Sequence, residues 1–280
     1  MNQRIVSWFS CGAASACATK IAIEENNASS SPKELIVASI FLQDEHPDSE
    51  RFKADCAKWF GQEIVELRNE KYNASVDEVI QKTRYMAGVY GARCTKELKK
   101  QVRLDWQRDN DIHVFGMTSD EAHRIDQLQD NEPELELLAP LIDKGVNKLD
   151  CFAMLNDAGI ELPEMYKLGY HNNNCIGCLK AGGAGYWNKI RVDFPEVFER
   201  RAHQEKMLNV SLVKMSLSKV TKLWPDTIKS MQDDSVDFKV DSRGTMRIPL
   251  RYLPADAGSH KDLDIGNCGF FCETPDIKLD

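Results

Sequence analysis

"SWFSCGAASACATK" (Ser7–Lys20) is the stretch on which the fold turns. It ends the apolar run Arg4–Phe9, which reads as a strand, in a corner of small residues, Ser10-Cys11-Gly12-Ala13-Ala14-Ser15. From Ser15 to Glu25 a helix is expected, with Ala18, Ile21 and Ala22 on one face. A small-residue turn between a strand and a helix lets backbone N–H groups approach an anion closely, and the helix N-terminus adds a favourable dipole. Ser10, Gly12, Ala13 and Ser15 fit that task. Ser15 fits equally well as a plain N-cap. The pattern is neither a Walker A loop nor the Gly-x-Gly-x-x-Gly turn of dinucleotide folds.

Working outward, "LIVASIFL" (Leu35–Leu42) is a continuous apolar run, the mark of a strand buried on both faces. A helix ending at Gly61 follows, then a strand in "EIVELRN" (Glu63–Asn69). Helices are expected around Ser75–Met86 and Thr95–Arg108, a fourth strand at "IHVF", a fifth over "LELLAPLI" (Leu135–Ile142), and a helix from Asn147 with a Gly stop. Strands and helices alternating at this spacing predict an α/β fold, a parallel sheet flanked by helices. Ligands of such sheets sit beyond the carboxyl ends of the strands. The opening corner lies there, with "QDEHPD" after the second strand and "GMTSDEAHR" after the fourth. From about residue 166 the chain becomes rich in Gly, Asn and Cys. A sheet domain over 1–165 and a Cys-rich C-terminal region over 166–280 are expected, with "RVDFPEVFERRAHQEKML" (Arg191–Leu208) as one helix.

The 280 residues carry 42% hydrophobic and 29% charged residues, an ordinary globular balance. No apolar run reaches the ~18 residues of a membrane span, and the first residues lack a signal core, so a cytoplasmic protein without membrane contact is expected. A net charge of -8 argues against a broad electrostatic grip on nucleic acid, though not against a local basic groove. Two basic clusters, Lys96/Lys99/Lys100/Arg103 and Arg191/Arg200/Arg201/Lys206, read as solvated helix faces.

Nine cysteines, an odd number without a secretion signal, argue against a disulfide framework. Cys11, Cys17, Cys56 and Cys151 sit among apolar or small residues and read as core. Cys94, Cys175, Cys178, Cys268 and Cys272 sit among Gly, Asn, Arg and Lys and read as chemical. Cys175-Ile-Gly-Cys178 has the spacing for two thiolates on one metal or cluster, or for a redox dithiol. Cys94 follows Arg93 at a helix start, where dipole and cation favour a thiolate. His171 and Asn172–Asn174 lead into the Cys pair and are expected to hydrogen-bond around a metal site. Tyr186 and Trp187 read as packing residues.

The corner "FSCGAASA" resembles the PP-loop of ATP pyrophosphatases and phosphoadenosine-phosphosulfate (PAPS) reductases. Ser10, Gly12 and Ser15 match its first Ser, second Gly and last Ser; Cys11 replaces the first Gly, and Ala14 stands where many ATP-using members have Asp. "EHPDSERFKADCAKWFG", "RCTKELKK", "GMTSDEAHRI" and "NNNCIGCLKAGGAGYW" resemble, in the same order, the PAPS reductase-like branch common in phage genomes. The resemblance runs over roughly residues 4 to 200. It implies an adenine-nucleotide α-hydrolase-like fold with phosphates at Ser10, Gly12, Ala13 and Ser15, and a nucleoside near Asp44 and Gly116. It places Glu121 and Arg124 against the substrate.

The same resemblance implies a [4Fe–4S] cluster, or a zinc ion in its place, on Cys94, Cys175 and Cys178; Thr95 stands where the family has a second Cys, so the fourth ligand is Cys272 or else Cys268, or one iron stays open, and Cys268 or Cys272 is the candidate nucleophile. The activity implied is sulfonucleotide reduction, or ATP-dependent sulfur insertion into a nucleic-acid acceptor with a thiol reductant or sulfur-donor protein as partner. A nucleotide sensor with a structural zinc is the non-catalytic alternative.

Overall fold

The computed structural model describes residues 2–88 and 91–263. The described residues divide into two compact units. The first comprises Met1–Val76 and Thr95–Asn174; the second takes Asp77–Cys94 and the chain from Cys175. The division thus falls later than residue 165, and a segment from the middle of the expected sheet domain belongs to the other unit.

The first unit is built on five strands, β1 (Arg4–Trp8), β2 (Glu34–Ile40), β3 (Ile64–Leu67), β4 (Ile112–Phe115) and β5 (Glu136–Leu138). They run parallel in the order β3-β2-β1-β4-β5. The helices of this unit include α1 (Ala13–Ala28) after β1, α2 (Asp48–Phe60) after β2, α3 (Gln101–Trp106) before β4, α4 (Ala122–Asn131) after it, and α5 (Lys148–Asp157). The expected α/β architecture, a parallel sheet flanked by helices, is observed.

All five residues of β1 are buried because it is the central strand. Its side chains alternate between two cores. Ile5, with Phe9 just beyond the strand, joins α1, α2 and α5 residues such as Cys17, Phe52 and Leu155. Val6 and Trp8 join Ala38, Ile40, Phe115 and Leu128 on the other face.

Two expected elements differ. "LELLAPLI" is a strand only to Leu138; Pro140, which cannot donate to a ladder, opens a four-residue helix. The single helix expected across Phe194 is two, α6 (Ala184–Asp193) and α7 (Pro195–Leu208), because Pro195 restarts the helix at its own first position. These belong to the second unit, which also holds an antiparallel pair, β6 (Val213–Ser216) with β7 (Thr245–Ile248). Glu205 of α7 ties that pair down by accepting the Leu212 and Leu250 N–H groups, both at 2.6 Å. Burial pushes its carboxyl up to about 7, against the pull of those two bonds. Among the described residues no helix is long and apolar enough to cross a membrane.

His113 of β4 lies across from Val6 and is 1% exposed. Its Nδ1 accepts the Trp8 indole N–H at 3.0 Å, so the ring must be neutral there. Burial first, and the Arg103 charge second, push its pKa down to about 4. The unfolded chain takes up this proton near the usual 6.5, the native fold only near 4. Stability is therefore full above about pH 6.5 and lost as pH falls towards 4, by roughly 3 kcal/mol for this group. Urea unfolding of the parent and His113→Gln across that window should show a shallower loss in the variant; equal slopes would show that His113 does not carry it.

Candidate functional site

The sheet changes direction at β1. The chain leaves β1 towards β2 on one side, and returns as β4 on the other. The crevice at such a switch point, beyond the carboxyl ends of the strands, is where open α/β sheets bind ligands. The Ser10–Ser15 corner occupies that place.

Its geometry is specific. The backbone N–H of Ser10 (3.1 Å), its hydroxyl (3.1 Å) and the N–H of Gly12 (3.3 Å) converge on Ser15 Oγ. The Ser15 hydroxyl donates in turn to the Gly12 carbonyl at 2.9 Å. Three donors are thus gathered on one oxygen, in a cradle that the Ser15 hydroxyl fills. The chain closes this cradle by taking Cys11 to φ +55°, in the left-handed region a glycine would enter without cost. Cys11 is 4% exposed, and its Sγ lies 3.9 Å from Ser39 Oγ. Burial, reinforced by the nearby Glu45 charge, pushes its thiol up to about 12, so it stays protonated and is no nucleophile.

Of the residues expected at the nucleotide, Ser10, Gly12, Ala13 and Ser15 are thus assembled in one turn. Gly116 is there for a different reason. A Cβ on Gly116 would stand 2.3 Å from Ser15 Cα and 2.4 Å from Ser15 N, so this glycine lets the end of β4 lie against the first turn of α1. Asp44 accepts the Val76 N–H at 2.7 Å where the helix Val76–Thr83 begins. Glu121 accepts the Thr118 N–H (3.2 Å) and hydroxyl (3.3 Å) in a capping box, and is ion-paired to Arg124. This pair is committed to its own turn.

Three residues that the sequence did not assign to the corner complete it. Tyr166 accepts the Ala13 N–H on its hydroxyl at 3.3 Å, and the backbone N–H of Asn173 as well. Asn173 donates from Nδ2 to the Cys11 carbonyl (2.8 Å) and to Ser49 Oγ (3.0 Å). Lys148 lies over the Tyr166 ring, 5.4 Å from its centroid, and donates to the His171 carbonyl and to Asn172 Oδ1 (2.6 Å). Residues 171–173 therefore serve the corner and α5, a placement that corrects the expectation of a shell around a metal. No local pattern marks them: Asn173 is 162 residues from its partner Cys11.

The basic clusters are corrected too. Lys99 and Arg103 are buried and paired, with Glu45 (3.9 Å) and Glu132 (2.6 Å), and Lys100 pairs with Glu132 at 3.3 Å. Arg201 is fully buried and, with Arg200, is tied to Asp77. The charges of Lys99, Arg103 and Arg201 are thus spent within each unit, while Arg200 and Lys206 lie on an exposed face as expected.

In the second unit the Cys175–Cys178 turn is rigidly held. Tyr186 Oη accepts the Cys178 N–H at 2.9 Å and lies 3.5 Å from the Cys175 carbonyl, to which it donates. Gly177 sits at φ +67° where a Cβ would meet Val197 Cγ1 at 2.6 Å, so only glycine closes this turn. Both sulfurs belong to buried residues, while Cys94 is partly exposed. Tyr186 and Trp187 are buried as packing residues. Among the described residues no three His, Cys, Asp or Glu side chains form a group able to hold a metal. Cys268 and Cys272 lie outside the described residues. A cluster or zinc ion requires three or four such ligands, and no chemistry is assigned through a metal.

No protein-family model matches the chain, and no curated protein matches it. Among solved structures it is similar to the U34-tRNA thiolase NcsA from Methanococcus maripaludis with its [4Fe-4S] cluster. The two are 14% identical, with a TM-score of 0.40 over 73% of this chain and 67% of that one. A likeness this distant assigns no activity.

The Gly116 contact generates a direct test. Gly116→Ala should push β4 and the first turn of α1 apart, lowering unfolding stability by about 1–3 kcal/mol. Urea denaturation measures it, and an unchanged midpoint would show that the close approach is not rigid.

Proposed function

We propose that this chain is an adenine-nucleotide-binding enzyme of the PP-loop superfamily, PAPS reductase-like, acting in sulfur or adenylyl transfer. The observation that carries the reading is the convergence of the Ser10 N–H, the Ser10 hydroxyl and the Gly12 N–H on one point at the switch of a parallel sheet. A phosphate oxygen is a stronger acceptor than the Ser15 hydroxyl now gathering those donors, and charge-assisted bonds are about twice as strong as neutral ones. The N-terminus of α1, a 16-residue helix with no acidic residue in its first turn, adds to the preference for an anion.

The order of motifs along the chain supports the family, and the rigid Cys175–Cys178 turn supports thiol or metal chemistry. An acceptor nucleic acid and a thiol reductant or sulfur-donor protein belong to the same proposal. In it the corner binds and orients the phosphates, Ser10 and Ser15 hold donors on them, and Cys11 shapes the turn without reacting.

Calorimetric titration with ATP, AMP and PAPS tests the reading. Ser10→Ala and Ser15→Ala should each weaken phosphate-bearing ligands about tenfold, as expected for one lost hydrogen bond to a charged group. Parent protein that binds none of them, or variants that bind like the parent, would remove the site. Pyrophosphate release from ATP then separates sulfur insertion from the sulfite release of PAPS reduction. Metal content of anaerobically purified protein separates a cluster, with about four irons per chain, from the structural-zinc alternative, with about one zinc.

A further inference from the structure

We infer that Asn173 is a positioning residue for the phosphate-binding corner: it fixes the Cys11–Gly12 peptide so that the Gly12 N–H points at the anion. The inference rests on the functional reading above and deepens it by naming what holds the cradle open.

A trans peptide is planar, and its C=O and N–H point in opposite directions. Whatever holds the Cys11 carbonyl therefore aims the Gly12 N–H. The carbonyl accepts Asn173 Nδ2 at 2.8 Å, while the Gly12 N–H is directed to Ser15 Oγ at 3.3 Å. An acceptor carbonyl requires a donor, so the orientation of the Asn173 amide is set by this bond. The second bond of the same nitrogen, to Ser49 Oγ at 3.0 Å, ties it to α2. The backbone of Asn173 is anchored separately, its N–H donating to the Tyr166 hydroxyl that also accepts the Ala13 N–H. Asn173 is 7% exposed, so water does not compete freely for the amide.

The peptide that Asn173 holds follows a residue, Cys11, that is itself in the left-handed region. A non-glycine residue there is disfavoured by roughly 1–2 kcal/mol in intrinsic terms. The bond from Asn173 fixes the plane of the Cys11–Gly12 peptide, and a rotation of that plane would turn the Gly12 N–H out of the cradle. Asn173 opposes that rotation from a distant part of the chain.

The test is Asn173→Asp, nearly isosteric but unable to donate when ionised. The readouts are Gly12 amide exchange, followed by NMR in uniformly labelled protein with circular dichroism as a folding control, and ATP affinity by calorimetry. In Asn173→Asp the Gly12 amide should exchange at least about tenfold faster at neutral pH, and ATP should bind about 10- to 100-fold more weakly than to the parent. As pH is lowered and the new carboxyl is protonated, its O–H can donate to the Cys11 carbonyl, so the ratio of parent to variant affinity should return towards one. A purely structural defect would not recover with acid.

Unchanged Gly12 exchange in the variant overturns the inference whatever ATP does. Faster exchange with unchanged ATP affinity, or an affinity ratio flat with pH, overturns it also. If Ser10→Ala and Ser15→Ala lose ATP while Asn173→Asp keeps it, the inference falls and the functional reading stands. If the parent binds no nucleotide, both fall. Should Asn173→Asp fail to fold, Asn173→Ser keeps a short donor and replaces it: Gly12 exchange equal to the parent's would overturn the inference, and faster exchange supports it.

Discussion

The backbone contact between Gly116 and Ser15 is the constraint around which the site is organised. It brings the end of β4 against the first turn of α1, at the point where the sheet reverses its order. Any side chain at 116 would meet backbone, which cannot swing aside as a flexible side chain can. With the helix seated there, the Ser15 hydroxyl falls within reach of the Ser10 and Gly12 N–H groups. The chain must then cover the distance from β1 to α1 in very few residues, and it does so with Cys11 in a left-handed conformation.

That conformation is retained by partners rather than by preference. The Cys11 side chain is enclosed in the core, its carbonyl is held by Asn173, and the adjoining Ala13 N–H is held by Tyr166. Residue 166 is in turn braced by the ring of Phe152, at 5.1 Å between centroids, and residue 173 by Ser49 of α2. Strain at a turn persists when its surroundings over-determine it, and sites that bind ligands are where such strain collects. The segment 166–173 thus completes the sheet unit. This explains why the unit extends to Asn174 and does not stop where the composition changes.

The charged residues divide along similar lines. Lys99, Arg103 and Arg201 lie in stretches rich in Lys and Arg, which in one dimension read as exposed basic faces. Each is itself buried and has a carboxylate partner far away in sequence. A buried ion pair is costly to break because the remaining charge is left uncompensated. Glu121 and Arg124 show the local version: three residues apart on one turn, they satisfy one another and the helix start.

The sequence by itself determined the parallel α/β sheet, because strands buried on both faces must be continuously apolar, and that pattern is local. It determined the corner as well, because small residues between a strand and a helix are a local signature, and Ser10, Gly12 and Ser15 did assemble there. It read Cys17, Cys56 and Cys151 as core from their apolar neighbours, and they are buried. Where proline entered, at Pro140 and Pro195, the periodic pattern overran the true helix and strand limits. Only the tertiary structure decided what each polar group does. A hydrogen bond is made by whichever donor and acceptor the fold brings within about 3 Å, and for Asn173, Tyr166 and Gly116 those partners are remote in the chain. Spacing along a sequence carries no record of such meetings: nothing local ties Gly116 to the first turn of α1, or Asn173 to the Cys11 carbonyl.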